Sequence, residues 1–185
     1  MARLLALDPS LTATGWAVLD LRHGCVEDVG VIRTKLPPKA KRHHYQGDTD
    51  DARVRALAQG VAKLYRIPGV AVVAKEAAAG SRHVKAAKAL AYAQAVPVAL
   101  AVGLGVGELL NVQAEEAKRA ATGKKSATKD EVAAGVFARW PEARALVEAL
   151  KPASIHEHAT DALAVAMAVW DSPAVAGLRR FSDGG

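Results

Sequence analysis

The chain has 185 residues, 51% of them hydrophobic but only 4% aromatic, which is enough for one core built mainly of Ala, Val and Leu and excludes a disordered or collagen-like chain. The single Cys, Cys25, excludes a disulfide framework and a Cys-x-x-Cys zinc site, and makes a reducing compartment the default. Lys and Arg total 25 against 19 Asp and Glu, and the net charge of +6 suits a polyanionic partner. The apolar run before Asp8 is too short for a secretory signal, and no stretch approaches the ~20 apolar residues of a membrane span, so a cytoplasmic protein with no membrane association is expected. One Asn, one Cys and two Met make a composition poor in thermolabile residues, as thermophilic sources and high-GC genomes both produce.

Residues 3–7 are a short apolar run stopped by Asp8-Pro9-Ser10, the pattern of a buried strand ending at a turn. Residues 15–20 and about 25–34 predict two more strands, with Gly24 in the turn between them, as an antiparallel meander. Residues 36–50 hold Pro37, Pro38, Lys39, Lys41, Arg42, His43 and His44 with almost nothing apolar to anchor them, and predict a basic loop. Residues 51–65 place Val54, Leu57, Ala58, Val61 and Leu64 at helical spacing, closed by Pro68-Gly69. Residues 70–74 are wholly apolar, as in a central parallel strand buried on both faces. A long small-residue helix follows over about 81–106, with a kink expected at Pro97. Residues 109–113 predict a fifth strand, and helices follow over about 114–121, 128–139 and 155–170. The expected architecture is α/β: a five-stranded mixed sheet, three antiparallel strands and then parallel ones, flanked by helices in one domain over residues 1–172, with a loose tail over 173–185.

Asp8 ends a buried strand, where ligands and catalytic groups collect in α/β sheets. Taken alone it also reads as a turn cap before Pro9. Glu76 occupies the corresponding place after the 70–74 strand, or is a solvated strand-end acid; Lys75 precedes it and by alternation points to the opposite face. His158 and Asp161, three apart, share a face of the last apolar helix, with Glu157 able to share the edge of Asp161. Asp161 there either caps the helix or meets a cation. Together Asp8, Glu76, His158 and Asp161, from three elements, make an oxygen-rich set suited to Mg²⁺ or Mn²⁺ rather than zinc. Two such ions about 3.5–4 Å apart can activate water and stabilise the leaving oxygen in phosphodiester cleavage.

The segment Lys118-Arg119-Ala120-Ala121-Thr122-Gly123-Lys124-Lys125-Ser126-Ala127-Thr128-Lys129 puts positive charge around a Gly turn that enters a helix, where phosphate can be held. It is not a Walker A loop, because the first Gly is missing and position 118 is Lys. Gly103-Leu104-Gly105-Val106-Gly107 lacks the spacing of a dinucleotide-binding turn. His23, His43, His44, His83 and His156 are scattered and read as surface or phosphate contacts.

The ordered set resembles the RuvC family of Holliday-junction resolvases. Leu7-Asp8-Pro9-Ser10 with Thr14-Gly15-Trp16 is similar to the family's opening strand pair, Gly30-Val31-Ile32-Arg33-Thr34-Lys35 to its third strand, and Ala74-Lys75-Glu76 to the strand end bearing its catalytic Glu. Ala89-Leu90 through Gln94 resembles the start of its dimerisation helix. Lys118, Thr122-Gly123 and residues 127–132 resemble its lysine segment, and Thr160-Asp161-Ala162-Leu163-Ala164-Val165-Ala166 its final catalytic helix. The resemblance covers about residues 4–169 and implies an RNase H-like fold and a homodimeric, metal-dependent endonuclease that nicks two opposed strands of four-way junction DNA symmetrically. It implies that Asp8, Glu76, His158 and Asp161 hold two Mg²⁺ or Mn²⁺ ions per site, and that Lys118 and Lys129 contact the DNA near the scissile phosphate. On the same reading Lys39, Lys41, Arg42, Arg82, Lys85, Lys88, Lys124 and Lys125 bind backbone phosphates. The family often has Asp where this chain has His158, which lowers the negative charge and leaves Glu157 as a substitute ligand. The segment after Glu76 and the 123–126 turn look closer to phage-type relatives, and position 79 is Ala where bacterial members carry a base-stacking aromatic.

Two other readings share these features. An RNase H-like nuclease acting on other branched DNA or RNA–DNA hybrid would use the same four ligands. A non-catalytic junction-binding protein would need the basic surface but not the carboxylates.

Overall fold

The structure, a computed structural model, describes residues 1–34, 46–78, 80 and 83–183. Strands β1 (Arg3–Asp8), β2 (Ala13–Asp20), β3 (Cys25–Arg33), β4 (Val70–Glu76) and β5 (Glu108–Val112) form one sheet in the order β3-β2-β1-β4-β5. β1 pairs antiparallel with β2 and parallel with β4, and β4 pairs parallel with β5, which is the mixed α/β sheet expected. Helices α1 (Gln46–Tyr65) and α2 (Val84–Leu104) are followed by α3 (Ala114–Thr122), α4 (Lys129–Arg139), α5 (Pro141–Ala149), α6 (His156–Val169) and α7 (Pro173–Asp183).

The two-residue period of the strands divides the core. Leu4 and Ala6 of β1 and Val72 and Ala74 of β4 pack with Ala162, Leu163 and Ala166 of α6. Leu5, Leu7 and Val73 pack on the other face with Leu57 and Val61 of α1 and Ala93 and Val96 of α2. Small residues make these layers thin. Continuing the alternation by one step sends Asp8 and Glu76 to the α6 side and Lys75 to the α2 side.

Two glycines let backbones meet where no side chain fits. A Cβ on Gly15 of β2 would lie 1.8 Å from the carbonyl oxygen of His158, so α6 rests directly on the strand that pairs with Asp8. A Cβ on Gly135 of α4 would lie 1.8 Å from the carbonyl oxygen of Ala121, which brings α4 against α3.

Several elements differ from expectation. α1 begins at Gln46, inside the expected loop, and Asp50 in it is buried and pairs with Lys88 of α2 at 3.1 Å. α5, for which no element was predicted, starts with Pro141 at its first turn, a position Pro favours. The last residues are not a loose tail up to Asp183: α7 opens on Ser172-Pro173, buries Val175 completely and lays Arg179 over the Trp170 ring at 4.9 Å. α2 has the length and apolar composition of a membrane span, although none was expected from the sequence, because its alanines and valines raise the hydropathy of a helix that covers a sheet. Its buried side, Ala93, Val96, Pro97 and Ala101, faces the protein core, and the Tyr65 hydroxyl of α1 donates to the Pro97 carbonyl at 3.0 Å.

Candidate active site

The end of β1 is held by its own turn: Thr14 Oγ1 donates to the Ser10 carbonyl at 2.7 Å and accepts from the Ser10 amide at 3.1 Å. Asp8 and Glu76 therefore leave adjacent parallel strands on the same face. α6 crosses that face and supplies His158 and Asp161. His158 Nδ1 lies 3.4 Å from Asp8 Oδ2, both side chains being largely buried. α6 starts at His156, so Asp161 stands in the second turn, past the unpaired amides that a cap serves. That position removes the capping explanation for Asp161.

The charges are not neutralised in place. Burial, then the negative charges of Asp8 and Asp161, push the Glu76 carboxyl up to about 7 against the pull of Lys118. Burial, then Asp8, push Asp161 up to about 6 against the pull of Lys129, His158 and Lys118. Three acids thus share one field, and two of them resist ionisation, chiefly through burial and then through that field.

α3 and α4 complete the site. Glu76 and Asp161 line a cavity of about 230 Å³ with Lys118 of α3, Lys129 of α4 and the small residues Ala114, Ala117, Val132 and Ala164. α4 starts from a reciprocal cap, the Glu131 amide donating to Thr128 Oγ1 and the Thr128 amide to the Glu131 side chain, which sets Lys129 at its first position. Lys129 forms an ion pair with Glu157, so Glu157 faces α4 rather than standing free beside Asp8. A larger cleft of about 580 Å³ beside β5 holds only Glu116 and Arg119 as charged groups, and the chemistry is not there.

Among the described residues, no three His, Cys, Asp or Glu side chains stand close enough to hold a metal ion as placed. The donor set nonetheless fits a hard divalent cation: carboxylate oxygens from three elements and one imidazole, with mutual repulsion that a cation relieves.

Six residues singled out from the sequence, Asp8, Glu76, His158, Asp161, Lys118 and Lys129, gather around this site. The phosphate-binding set is more scattered. Lys39, Lys41, Arg42 and Arg82 lie outside the described residues, as does Ala79. Lys85 is exposed in the first turn of α2. Lys88 pairs with the buried Asp50 at 3.1 Å and is committed to the fold, whereas Lys124 with Glu131 at 3.2 Å and Lys125 with Glu115 at 3.3 Å are surface pairs that an incoming phosphate can displace at little cost. His23 and His156 are engaged within the fold, His23 with Asp20 and His156 with the Leu150 carbonyl. In the sequence Gly15 and Gln94 entered only within segments resembling the family's opening strand pair and dimerisation helix, and neither was singled out for the site; the available signals were a Gly inside a strand and a polar residue in an apolar helix.

Residues 4–169 match the family described as crossover junction endodeoxyribonuclease RuvC. Among curated proteins none matches the sequence. Among solved structures, Thermus thermophilus RuvC in complex with a Holliday junction substrate is similar at 22% identity and a TM-score of 0.70, over 98% of each chain. Another structure of Thermus thermophilus RuvC has 22% identity and a TM-score of 0.65, over 90% of this chain and 92% of that one. The yeast mitochondrial Holliday junction resolvase has 11% identity and a TM-score of 0.57, over 98% of this chain and 85% of that one. At these identities the likeness is one of fold.

Proposed function

Because the chain belongs to the RuvC family, we propose that it is a structure-selective endonuclease that resolves four-way DNA junctions by paired symmetric nicks. The observation that carries this reading is the convergence of Glu76 and Asp161 with Lys118 and Lys129 on one cavity next to Asp8, where burial first and the neighbouring acids second push Glu76 up to about 7 and Asp161 up to about 6. Asp8, Glu76, His158 and Asp161 would hold the divalent cations, Mg²⁺ or Mn²⁺, two to a site. Such cations supply Lewis acidity for a water and for the leaving 3′ oxygen. Lys118 and Lys129, at the rim, hold the phosphate against the acids and take up charge as the bond breaks. His158 is oriented by Asp8, and its imidazole lowers the negative charge that a fourth carboxylate would add. On this reading Lys85, Lys88, Lys124 and Lys125 would contact backbone phosphates, with Lys39, Lys41, Arg42 and Arg82 as further contacts.

Paired nicks need two sites. Val98 and Val102 of α2, one helical turn apart, are 41% and 81% exposed, and a second copy of the chain seated on this stripe makes a homodimer. The test is cleavage of an immobile four-way junction, linear duplex and RNA–DNA hybrid, each with Mg²⁺, Mn²⁺ or chelator. Metal-dependent paired nicks confined to the junction are expected. Hybrid cleavage instead would move the activity to another substrate of the same fold, and junction binding without cutting in either metal would sink the nuclease reading.

A further inference from the structure

Lys75 and Glu76 are neighbours on β4 that face opposite sides of the sheet, and Gln94 of α2 bonds to both. Lys75, a residue only 5% exposed, donates from Nζ to Gln94 Oε1, and Gln94 Nε2 donates to the Glu76 main-chain carbonyl at 2.9 Å. The amide of Ala77 donates to the Val112 carbonyl of β5 at 2.7 Å. The peptide unit between residues 76 and 77 is therefore held by its carbonyl from α2 and by its N–H from β5. Beyond this point β1 has ended, so the strand that carries Glu76 has lost its neighbour on that side. Lys75 makes the arrangement one-way: a flipped Gln94 amide would set NH₂ against an ammonium and oxygen against a carbonyl.

We propose that Gln94 is a positioning residue, fixing through the 76–77 peptide the direction in which Glu76 presents its carboxylate to a divalent cation. The inference rests on the reading of Glu76 as a ligand given above. It gives α2, which touches no reacting group through Gln94, a hold on the geometry of the site from the opposite face of the sheet. Groups that orient a ligand in this way affect metal affinity about 10–100-fold when removed.

The test uses the full-length protein and two variants. Gln94→Glu keeps a partner for Lys75 but replaces the donor to the Glu76 carbonyl with an oxygen. Lys75→Met combined with Gln94→Met removes both polar groups and leaves no buried charge unpaired. Mn²⁺ affinity is titrated without DNA, exchange of the Ala77 amide is followed in metal-free protein, and kcat and KM are measured on junction DNA. Both variants are expected to bind Mn²⁺ about 10-fold more weakly, to exchange Ala77 faster and to lose kcat with KM within about twofold. The proposal fails if either variant, folded as judged by cooperative unfolding, keeps wild-type Mn²⁺ affinity and Ala77 exchange. If the wild-type protein itself binds no Mn²⁺, the ligand reading of Glu76 is what has failed, and the exchange measurement still reports whether Gln94 holds the peptide.

Discussion

The carbonyl oxygen of His158 occupies the place where a side chain on Gly15 would begin, 1.8 Å from an ideal Cβ. Gly15 is paired with Asp8 across β1 and β2, so the contact seats the helix bearing His158 and Asp161 directly beside the strand bearing Asp8. Gly15→Ala must push α6 away from the sheet. A loss of about 3 kcal/mol in unfolding free energy is expected from such overpacking, together with weaker Mn²⁺ binding in whatever fraction remains folded. Denaturant unfolding with and without Mn²⁺ measures both.

Asp8→Asn is expected to reduce cleavage by at least about 10³-fold while leaving junction affinity within about threefold, because phosphate contacts and not the acids carry affinity. Cleavage and gel-shift titrations on the same junction check this pair of outcomes. Cutting at a comparable rate by the variant would overturn the role assigned to Asp8.

Acidity tests the crowding of the carboxylates in metal-free protein. Glu76 and Asp161 are raised in the folded state, so the native protein binds more protons than the unfolded chain between roughly pH 4 and pH 7. Their contribution to stability is full at the acid end of that window and is lost as pH rises through it. Glu76→Gln should therefore stabilise the metal-free protein at pH 7.5, by about 1 kcal/mol after allowing for partial solvent access, and have little effect near pH 4.5. Melting curves at the two pH values decide it. Cation binding needs the ionised acids and should strengthen as pH rises past about 6 and 7.

Junction binding should weaken steeply with salt, and Lys118→Ala should reduce the slope of log affinity against log salt by about 1. Binding isotherms at four salt concentrations give that slope. An unchanged slope would mean that Lys118 makes no phosphate contact.

Tyr65→Phe removes the buried hydroxyl that donates to the Pro97 carbonyl. Burial pushes that phenol well above its ordinary range, so it stays protonated and remains a donor. A loss of about 1 kcal/mol is expected, and thermal unfolding reads it without reference to activity.

The sheet and the acids were legible because they follow a short period. Alternation along residues 3–8 and 70–76 places Asp8 and Glu76 on one face, and three-residue spacing places His158 with Asp161. What escaped depended on distant partners. Asp50 extends α1 into a polar segment because Lys88 of α2 awaits it, and α7 forms because Val175 finds a buried place and Arg179 an indole. Gln94 entered only as the end of a segment resembling a dimerisation helix, and its two bonds to β4 depend on partners distant in sequence. Capping was a fair local reading of Asp161, and only the observed start of α6 at His156 removes it.

Lys75 and Glu76 sit side by side in sequence and a sheet's thickness apart in space. A slip of β4 by one residue against β1 would exchange them, turning an electronegative hollow into an electropositive one with every other element unchanged. The sign of the local potential is thus written in strand register. A one-residue insertion between Val70 and Ala74 would invert it, whereas a longer insertion in the α3–α4 turn would leave it untouched.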